Sequence, residues 1–207
     1  WIVALGGGSA MDAAKVMWVF YEHPGYDFNK LANFENPPLG EKAKMVCIAS
    51  TSGTASEITA FSVITDTENE IKYPLVHPDF VPEIAIVDPE IPSKMPPLIT
   101  AQTGMDVMTH AVESFVSTGA DDYTSPYAIR AIELVFENLK KAYDKGDDLV
   151  AREKMHDAST LAGMAFSNAL LGIVHSMAHK TGAAYSQGHI PHGCANAILL
   201  PHVVRYN

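Results

Sequence analysis

The sequence predicts an α/β lobe followed by an all-helical lobe. The chain opens with an apolar, strand-like run, Ile2–Leu5, which passes through the glycine-rich turn 6–9 into a helical pattern ending before His23. Beyond Pro97 the apolar residues recur with helical rather than alternating spacing. We therefore expect an α/β domain over residues 1–96 and a helical domain over residues 97–207, with both domains partial.

The same patterns predict the remaining elements. Strands are expected at 45–49, 71–76 and 84–87, and helices at 100–116, 125–143, 149–166, 170–182 and 195–206. Residues 25–40 are expected to form a loop, and the hydroxyl-rich segment 50–57 is too polar for a core. Ser9 and Asp12 match the Ser-x-x-acid pattern, which predicts a capping box on the first helix.

Composition excludes several classes of partner. The 207 residues include 14 Lys plus Arg against 24 Asp plus Glu, and a net charge of −10 would repel nucleic acid. No apolar run approaches the roughly 20 residues that span a bilayer, and no export signal opens the chain. Two cysteines are too few for a disulfide framework. We expect a cytoplasmic protein without membrane or nucleic-acid partners, cut at both ends.

Two pairs of residues have the spacing of metal ligands on a helix. Asp106 and His110 lie four residues apart, as do His175 and His179, so each pair shares a helix face. His192 follows, framed by a proline and a glycine. A lone histidine is more often a surface or hydrogen-bonded core residue. Two pairs within an apolar helical lobe favour a divalent cation, because buried polar groups without partners are costly.

The first half offers candidates for binding an anion or a nucleotide. A glycine-rich turn between a strand and a helix suits a phosphate at the helix N-terminus, although glycine also serves there for backbone conformation alone. The hydroxyls of residues 50–56 could donate hydrogen bonds to a dinucleotide or cap helices. Lys72 could bind a ribose or phosphate, or be a solvated strand residue. The residues alone leave these alternatives open.

Taken together, these segments resemble the iron-containing, group III alcohol dehydrogenase family over essentially the whole chain. The resemblance rests on five motifs in order: Gly6-Gly7-Gly8-Ser9-x-x-Asp12-x-x-Lys15, Thr51-x-Gly53-Thr54-x-Ser56-Glu57, Gly104-x-Asp106-x-x-Thr109-His110-x-x-Glu113, His175-Ser176-Met177-Ala178-His179 and Pro191-His192-Gly193-x-Ala195-Asn196. The sequence is most similar to the alcohol dehydrogenase half of bifunctional aldehyde-alcohol dehydrogenases and to butanol and propanediol dehydrogenases.

The resemblance implies a two-lobed enzyme of dehydroquinate synthase-like architecture, with a dinucleotide-binding lobe, a helical metal-binding lobe and the active site between them. It implies NAD or NADP as coenzyme and Fe(II), with zinc as the alternative. The implied metal ligands are Asp106, His110, His175 and His192, and His179 is implied as a catalytic residue. The implied coenzyme contacts are Gly7, Gly8, Ser9, Asp12, Ser50, Thr51, Thr54 and Lys72.

The expected activity is hydride transfer between NAD(P)(H) and a small primary alcohol or aldehyde, with self-association into a homo-oligomer. The alternatives are a metal- and NAD-dependent lyase of the dehydroquinate synthase type, or an inactive fragment that acts only in assembly. The link between the last two implied metal histidines, His175 and His192, is a few residues longer than in the family, so His189 is kept as a substitute ligand or pocket residue.

Overall fold

The first part of the chain forms a parallel sheet. The computed structural model describes residues 1–69, 71–184 and 190–207. Strands β1 (Ile2–Gly6), β2 (Met45–Ala49) and β5 (Ile84–Ile86) are all parallel, in the order β1-β2-β5. Gly6 pairs with Ala49, so the chain leaves β1 and β2 at the same edge of the sheet. The loops that follow the two strands are therefore neighbours.

Helix α1 (Gly8–Glu22) follows β1 directly and buries its apolar face against the sheet. Trp18 is almost fully buried there, and its indole N–H lies 2.9 Å from Glu22 Oε1 and 3.1 Å from Ala43 O. The predicted capping box is wrong. Gly7 is the N-cap without a side-chain cap, and the Asp12 carboxylate accepts instead from Ser56 Oγ and the Val63 N–H. Asp12 therefore accepts hydrogen bonds from residues that are distant in the sequence, and not from the backbone at the start of its own helix.

A second, antiparallel sheet joins β3 (Phe61–Asp66) to β4 (Ile71–Val76). The sequence predicts β4 but misses β3. It also assigns residues 25–40 to a loop, where the structure has the short helix α2 (Phe28–Ala32). Single turns of 3₁₀ helix lie at Pro78–Phe80 and Ile91–Lys94.

The rest of the described chain is helical: α3 (Pro97–Val116), α4 (Thr124–Asp144), α5 (Leu149–Ala169), α6 (Ile173–Ala184) and α7 (His192–Tyr206). Their core is rich in alanine, with Ala131, Ala158 and Ala162 fully buried, so the helices approach closely. A Cβ on Gly193 would lie 1.9 Å from Gln102 O, and the lack of one lets α7 pack tightly on α3.

This order of elements confirms the predicted α/β part followed by a helical part. The domain boundary at residues 96 and 97 remains a prediction.

Among the described residues no single helix is long and apolar enough to cross a membrane. One bent pair, Leu149–Ala169 with Ile173–Gly182, meets the length and composition test across a 103° bend.

Candidate functional site

One cavity of about 410 Å³ is lined by residues from both parts of the chain. The parallel sheet contributes the loops after β1 and β2, the β3–β4 hairpin forms one wall, and the helices α3, α5, α6 and α7 contribute the rest. Most of the site residues expected from the sequence line this cavity: Gly8, Ser9, Asp12, Thr54, Lys72, Asp106, His110, His175, His179 and His192.

Three of the expected coenzyme contacts lie beside the cavity rather than in its lining. Gly7 is the N-cap of α1, Ser50 donates its backbone N–H to Gly6 O at 2.8 Å, and the Thr51 side chain lies against Gly7. These residues hold the ends of β1 and β2 together. Their expected contact with a coenzyme remains a prediction.

Asp12 is largely occupied by the chain itself. One carboxylate oxygen accepts from Ser56 Oγ at 2.8 Å and the other from the Val63 N–H at 2.9 Å. Burial raises the pKa of Asp12, while these hydrogen bonds act in the opposite direction. The side chain thus fixes the 50–57 loop and β3 beside the start of α1.

Three side chains from three helices converge deeper in the cavity. Asp106 on α3, His175 on α6 and His192 on α7 bring one donor atom each within 4.8 Å of one another, and we call these three residues the donor cluster. Asp106 Oδ1 lies 3.6 Å from His175 Nε2 and 3.5 Å from His192 Nε2. Two ligands at about 2.1 Å from one tetrahedral cation would be spaced by roughly this distance. The geometry therefore fits a divalent cation.

The side-chain amide of Asn196 lies against all three members of the donor cluster. Its Nδ2 lies 2.7 Å from Asp106 Oδ1, 3.4 Å from His175 Nε2 and 3.3 Å from His192 Nε2, and the residue is fully buried. One amide nitrogen therefore lies close to the oxygen and the two imidazole nitrogens of the donor cluster. One carboxylate with imidazoles suits iron or zinc, so the residues fit the implied metal.

His110, the fourth expected ligand, lies against the donor cluster without belonging to it. Its ring stacks on His175 with centroids 4.5 Å apart and on Phe166 at 4.4 Å. Its buried Nδ1 has no hydrogen-bond partner among the described residues. Burial lowers the pKa of His110 to about 3, so the ring is neutral at pH 7 and keeps a lone pair available to a cation.

The charges in the donor cluster stabilise one another. Burial alone would raise the pKa of Asp106, but the neighbouring His110, His175 and His192 hold it below its ordinary value. Burial alone would lower the pKa of His175, and the neighbouring carboxylates of Asp106 and Glu113 raise it to about 9. The aspartate is therefore ionised at neutral pH, as a metal ligand must be.

His179 and Lys72 lie at the side of the cavity formed by α6 and β4. The His179 ring is 4.9 Å from His192 and 6.2 Å from His175, centroid to centroid, and His179 is not part of the donor cluster. Lys72 is partly buried, and burial lowers its pKa. Its ammonium group adds a positive charge to the cavity lining, where it could attract a phosphate.

Two buried residues contact the donor cluster although sequence analysis assigned them no role. Glu113 lies 2.5 Å from His175 Nδ1, and Asn196 contacts all three members. Helical spacing could have indicated both, since Glu113 follows Asp106 by seven residues and Asn196 follows His192 by four. His189, kept as a substitute ligand, lies outside the described residues.

Comparison with known proteins identifies the family of this chain. The model of the C-terminal domain of the Fe-containing alcohol dehydrogenase family matches residues 100–207, and the iron-containing alcohol dehydrogenase model matches residues 1–89. The chain belongs to the iron-containing alcohol dehydrogenase family. The resemblance seen in the sequence motifs is thereby confirmed.

Individual family members agree with this assignment. The chain is 58% identical to the NADPH-dependent butanol dehydrogenase of Clostridium saccharobutylicum, over 100% of this chain and 52% of that protein. It is 48% identical to the bifunctional aldehyde-alcohol dehydrogenase of Escherichia coli, over 100% of this chain and 24% of that protein. The crystal structure of a 1,3-propanediol oxidoreductase superposes with a TM-score of 0.89 at 43% identity, covering 99% of this chain and 52% of that one. The chain thus spans about half, or less, of the length of these relatives.

Proposed function

We propose that the protein containing this chain is a metal-dependent alcohol dehydrogenase that transfers a hydride between NAD(P)(H) and a small primary alcohol or aldehyde. The observation that supports this most directly is a single cavity lined both by the glycine-rich and hydroxyl-rich loops and by the donor cluster. The names of the relatives favour a dehydrogenase over a lyase of the dehydroquinate synthase type.

The chain's residues divide the work between the two sides of the cavity. Gly8 and Ser9, in the first turn of α1, would present backbone N–H groups to a coenzyme phosphate, with Thr54 and Lys72 nearby. The donor cluster, joined by His110, would hold Fe(II) or zinc. When bound, the cation supplies Lewis-acid stabilisation of negative charge on the substrate oxygen, and the coenzyme supplies or accepts the hydride.

Apolar residues complete the substrate side. Phe166, Leu170 and Leu171 line the cavity next to the donor cluster, where they would exclude water and hold a short alkyl chain. His179 would take up or release a proton at a ring nitrogen. Butanol, ethanol and 1,3-propanediol would all suit a cavity with this apolar lining and one polar end. A cytoplasmic location and a homo-oligomeric state are further parts of the proposal, and size-exclusion chromatography tests the latter.

The test is an alcohol oxidation assay combined with metal analysis. The protein loaded with Fe(II) or Zn²⁺ is expected to accumulate NADH or NADPH from a primary alcohol. The lyase alternative predicts no accumulation, because that reaction regenerates its coenzyme in each turnover. Asp106→Asn is expected to weaken metal binding by more than about 100-fold and to abolish turnover, since the loss of a ligand exceeds the 10- to 100-fold cost of losing a ligand's partner.

The matched control replaces an exposed aspartate that no described hydrogen bond or ion pair involves. Asp122→Asn, on the surface before α4, should keep full metal content and activity. A wild-type protein that binds metal and coenzyme but oxidises no primary alcohol would refute the proposed activity. Full turnover by Asp106→Asn would refute the proposed metal site.

A further inference from the structure

Glu113 connects α3 to the beginning of α6 through three hydrogen bonds. Only 3% of Glu113 is exposed. Its Oε1 accepts from the Val174 N–H at 2.7 Å, and its Oε2 lies 3.3 Å from the His175 backbone nitrogen and 2.5 Å from His175 Nδ1. The carboxylate therefore contacts both the backbone and the imidazole of the same residue in the donor cluster.

An ionised carboxylate can only accept hydrogen bonds, and this fixes the protons on its partners. The two backbone groups are N–H donors, so the third partner, His175 Nδ1, must also carry its hydrogen toward Glu113. Nε2 is then the ring nitrogen that binds a cation, and the cation displaces any proton held there. This is the nitrogen that lies 3.6 Å from Asp106 Oδ1 within the donor cluster.

The backbone near Glu113 is arranged to keep the carboxylate in this position. Val174 and His175 lie in the first turn of α6, where N–H groups lack intrahelical acceptors, and Glu113 supplies the acceptor from another helix. Gly172 precedes this turn, and a Cβ there would lie 2.9 Å from Glu113 Oε1. The lack of a side chain at Gly172 thus makes room for the carboxylate.

We propose that Glu113 is a positioning residue that holds the His175 ring in the Nδ1–H form and directs Nε2 at the cation. The proposal rests on the metal site of the proposed function. Carboxylates that accept from the second nitrogen of a ligating histidine raise its basicity and fix its orientation, and their loss costs about 10- to 100-fold in metal affinity. If Glu113 only capped α6, its loss would lower folding stability but would not change which nitrogen of His175 binds the cation.

Glu113→Gln tests the proposal because it keeps the size and removes one acceptor. An amide has one acceptor oxygen and an NH₂ group, so three donors cannot all be satisfied. The NH₂ group must face either the Val174 N–H, which breaks that backbone contact, or both the His175 N–H and His175 Nδ1, which drives the ring proton to Nε2. We expect Zn²⁺ affinity, measured by chelator competition, to fall about 10- to 100-fold. Glu137→Gln, at an exposed position on α4, should leave Zn²⁺ affinity unchanged.

A stability comparison separates the cap from the effect on the ring. Glu113→Gln in a His175→Ala background can lose only the backbone contacts, so its change in free energy of unfolding isolates the cap. A larger change for Glu113→Gln in the wild-type background is expected. Equal changes in the two backgrounds, with Zn²⁺ affinity at the level of Glu137→Gln, would overturn the proposal.

Nitrogen-15 NMR of wild-type His175 provides a test that needs no variant to fold. With Zn²⁺ bound, Nδ1 is expected to carry the proton and Nε2 to show the metal-bound shift. A spectrum with zinc on Nδ1 would overturn the role of Glu113. If the wild-type protein bound no Zn²⁺ or Fe(II), the proposed metal site would fail, while a protonated Nδ1 that is lost in Glu113→Gln would still support the contact.

Discussion

His179 is held neutral by its surroundings at the edge of the donor cluster. It lies one turn beyond His175 on α6 and lines the cavity. Burial, followed by the positive charges of His192, His175 and Lys72, lowers the pKa of His179 to about 4. A neutral imidazole in a substrate cavity can accept a proton from an alcohol and pass it on.

Replacing His179 with alanine is expected to slow turnover without loss of metal. General acid–base catalysis contributes typically 100-fold or more, so kcat should fall by roughly 100-fold. The donor cluster does not include His179, and bound metal measured by elemental analysis should stay at the wild-type level. His202→Ala, at an exposed position on α7, is the matched control. Wild-type turnover in His179→Ala would exclude the residue from proton transfer.

Sequence reasoning identifies the candidate site residues within each helix better than their partners on other helices. Asp106 and His110 share a face of α3 by spacing alone, as His175 and His179 do on α6. Glu113 and His175 are 62 positions apart in the sequence, and no local pattern predicts that their side chains are in contact. The ring of His110 stacks on His175 beside the donor cluster, and its role as a fourth ligand stays a prediction.

At the scale of elements, Lys15 on α1 forms hydrogen bonds with residues just before and at the start of β3. It is fully buried, and its Nζ donates to Thr59 O at 2.6 Å and to Phe61 O at 2.8 Å. Burial lowers the pKa of Lys15 from 10.5 to about 8, against the opposing influence of Asp12, Cys47 and Glu57. The folded protein therefore loses this proton at a lower pH than the unfolded chain does.

This shift predicts a rise in stability at alkaline pH. Between about pH 8 and 10.5 the unfolded chain holds a proton on Lys15 that the folded protein lacks, so the contribution of Lys15 to the free energy of unfolding increases with pH. Relative to Lys15→Met, the wild-type protein should gain about 2 kcal/mol between pH 7 and pH 10 in urea unfolding. Lys44→Met, at an exposed position, should follow the wild-type curve. A constant difference between wild type and Lys15→Met would contradict this prediction.

Elements with a clear apolar pattern are predicted to within a few residues, and elements without one are missed. Helix α4 is expected at 125–143 and observed at Thr124–Asp144, because its apolar face repeats over several turns. Strand β3 is missed because Ser62, Thr65 and Asp66 break the apolar pattern, and its pairing with β4 stabilises it. Helix α2 has only five residues, too few to show a period.

At the scale of the whole molecule, the cavity exists because the two parts of the chain meet across it. The parallel sheet directs the loops after β1 and β2 to one edge, and the helices bring the donor cluster to the same space. Gly8 lies in the lining, and a Cβ there would be 2.7 Å from both Oγ1 and Cγ2 of Thr54. A side chain at residue 8 would therefore displace Thr54.

Two substitutions should separate the two sides of the cavity. Gly8→Ala is expected to weaken NADH and NADPH binding, measured by coenzyme fluorescence, by about 5- to 30-fold, the factor that corresponds to about 1–2 kcal/mol of steric overlap. Its bound metal should be unchanged. His192→Ala should do the reverse, losing metal while keeping coenzyme affinity, and Ala13→Ser on the exposed face of α1 should change neither. If Gly8→Ala instead lost metal, or His192→Ala lost coenzyme binding to the same extent, the two ligands would not occupy separate sides of the cavity. The cavity would then have to be described as one indivisible site.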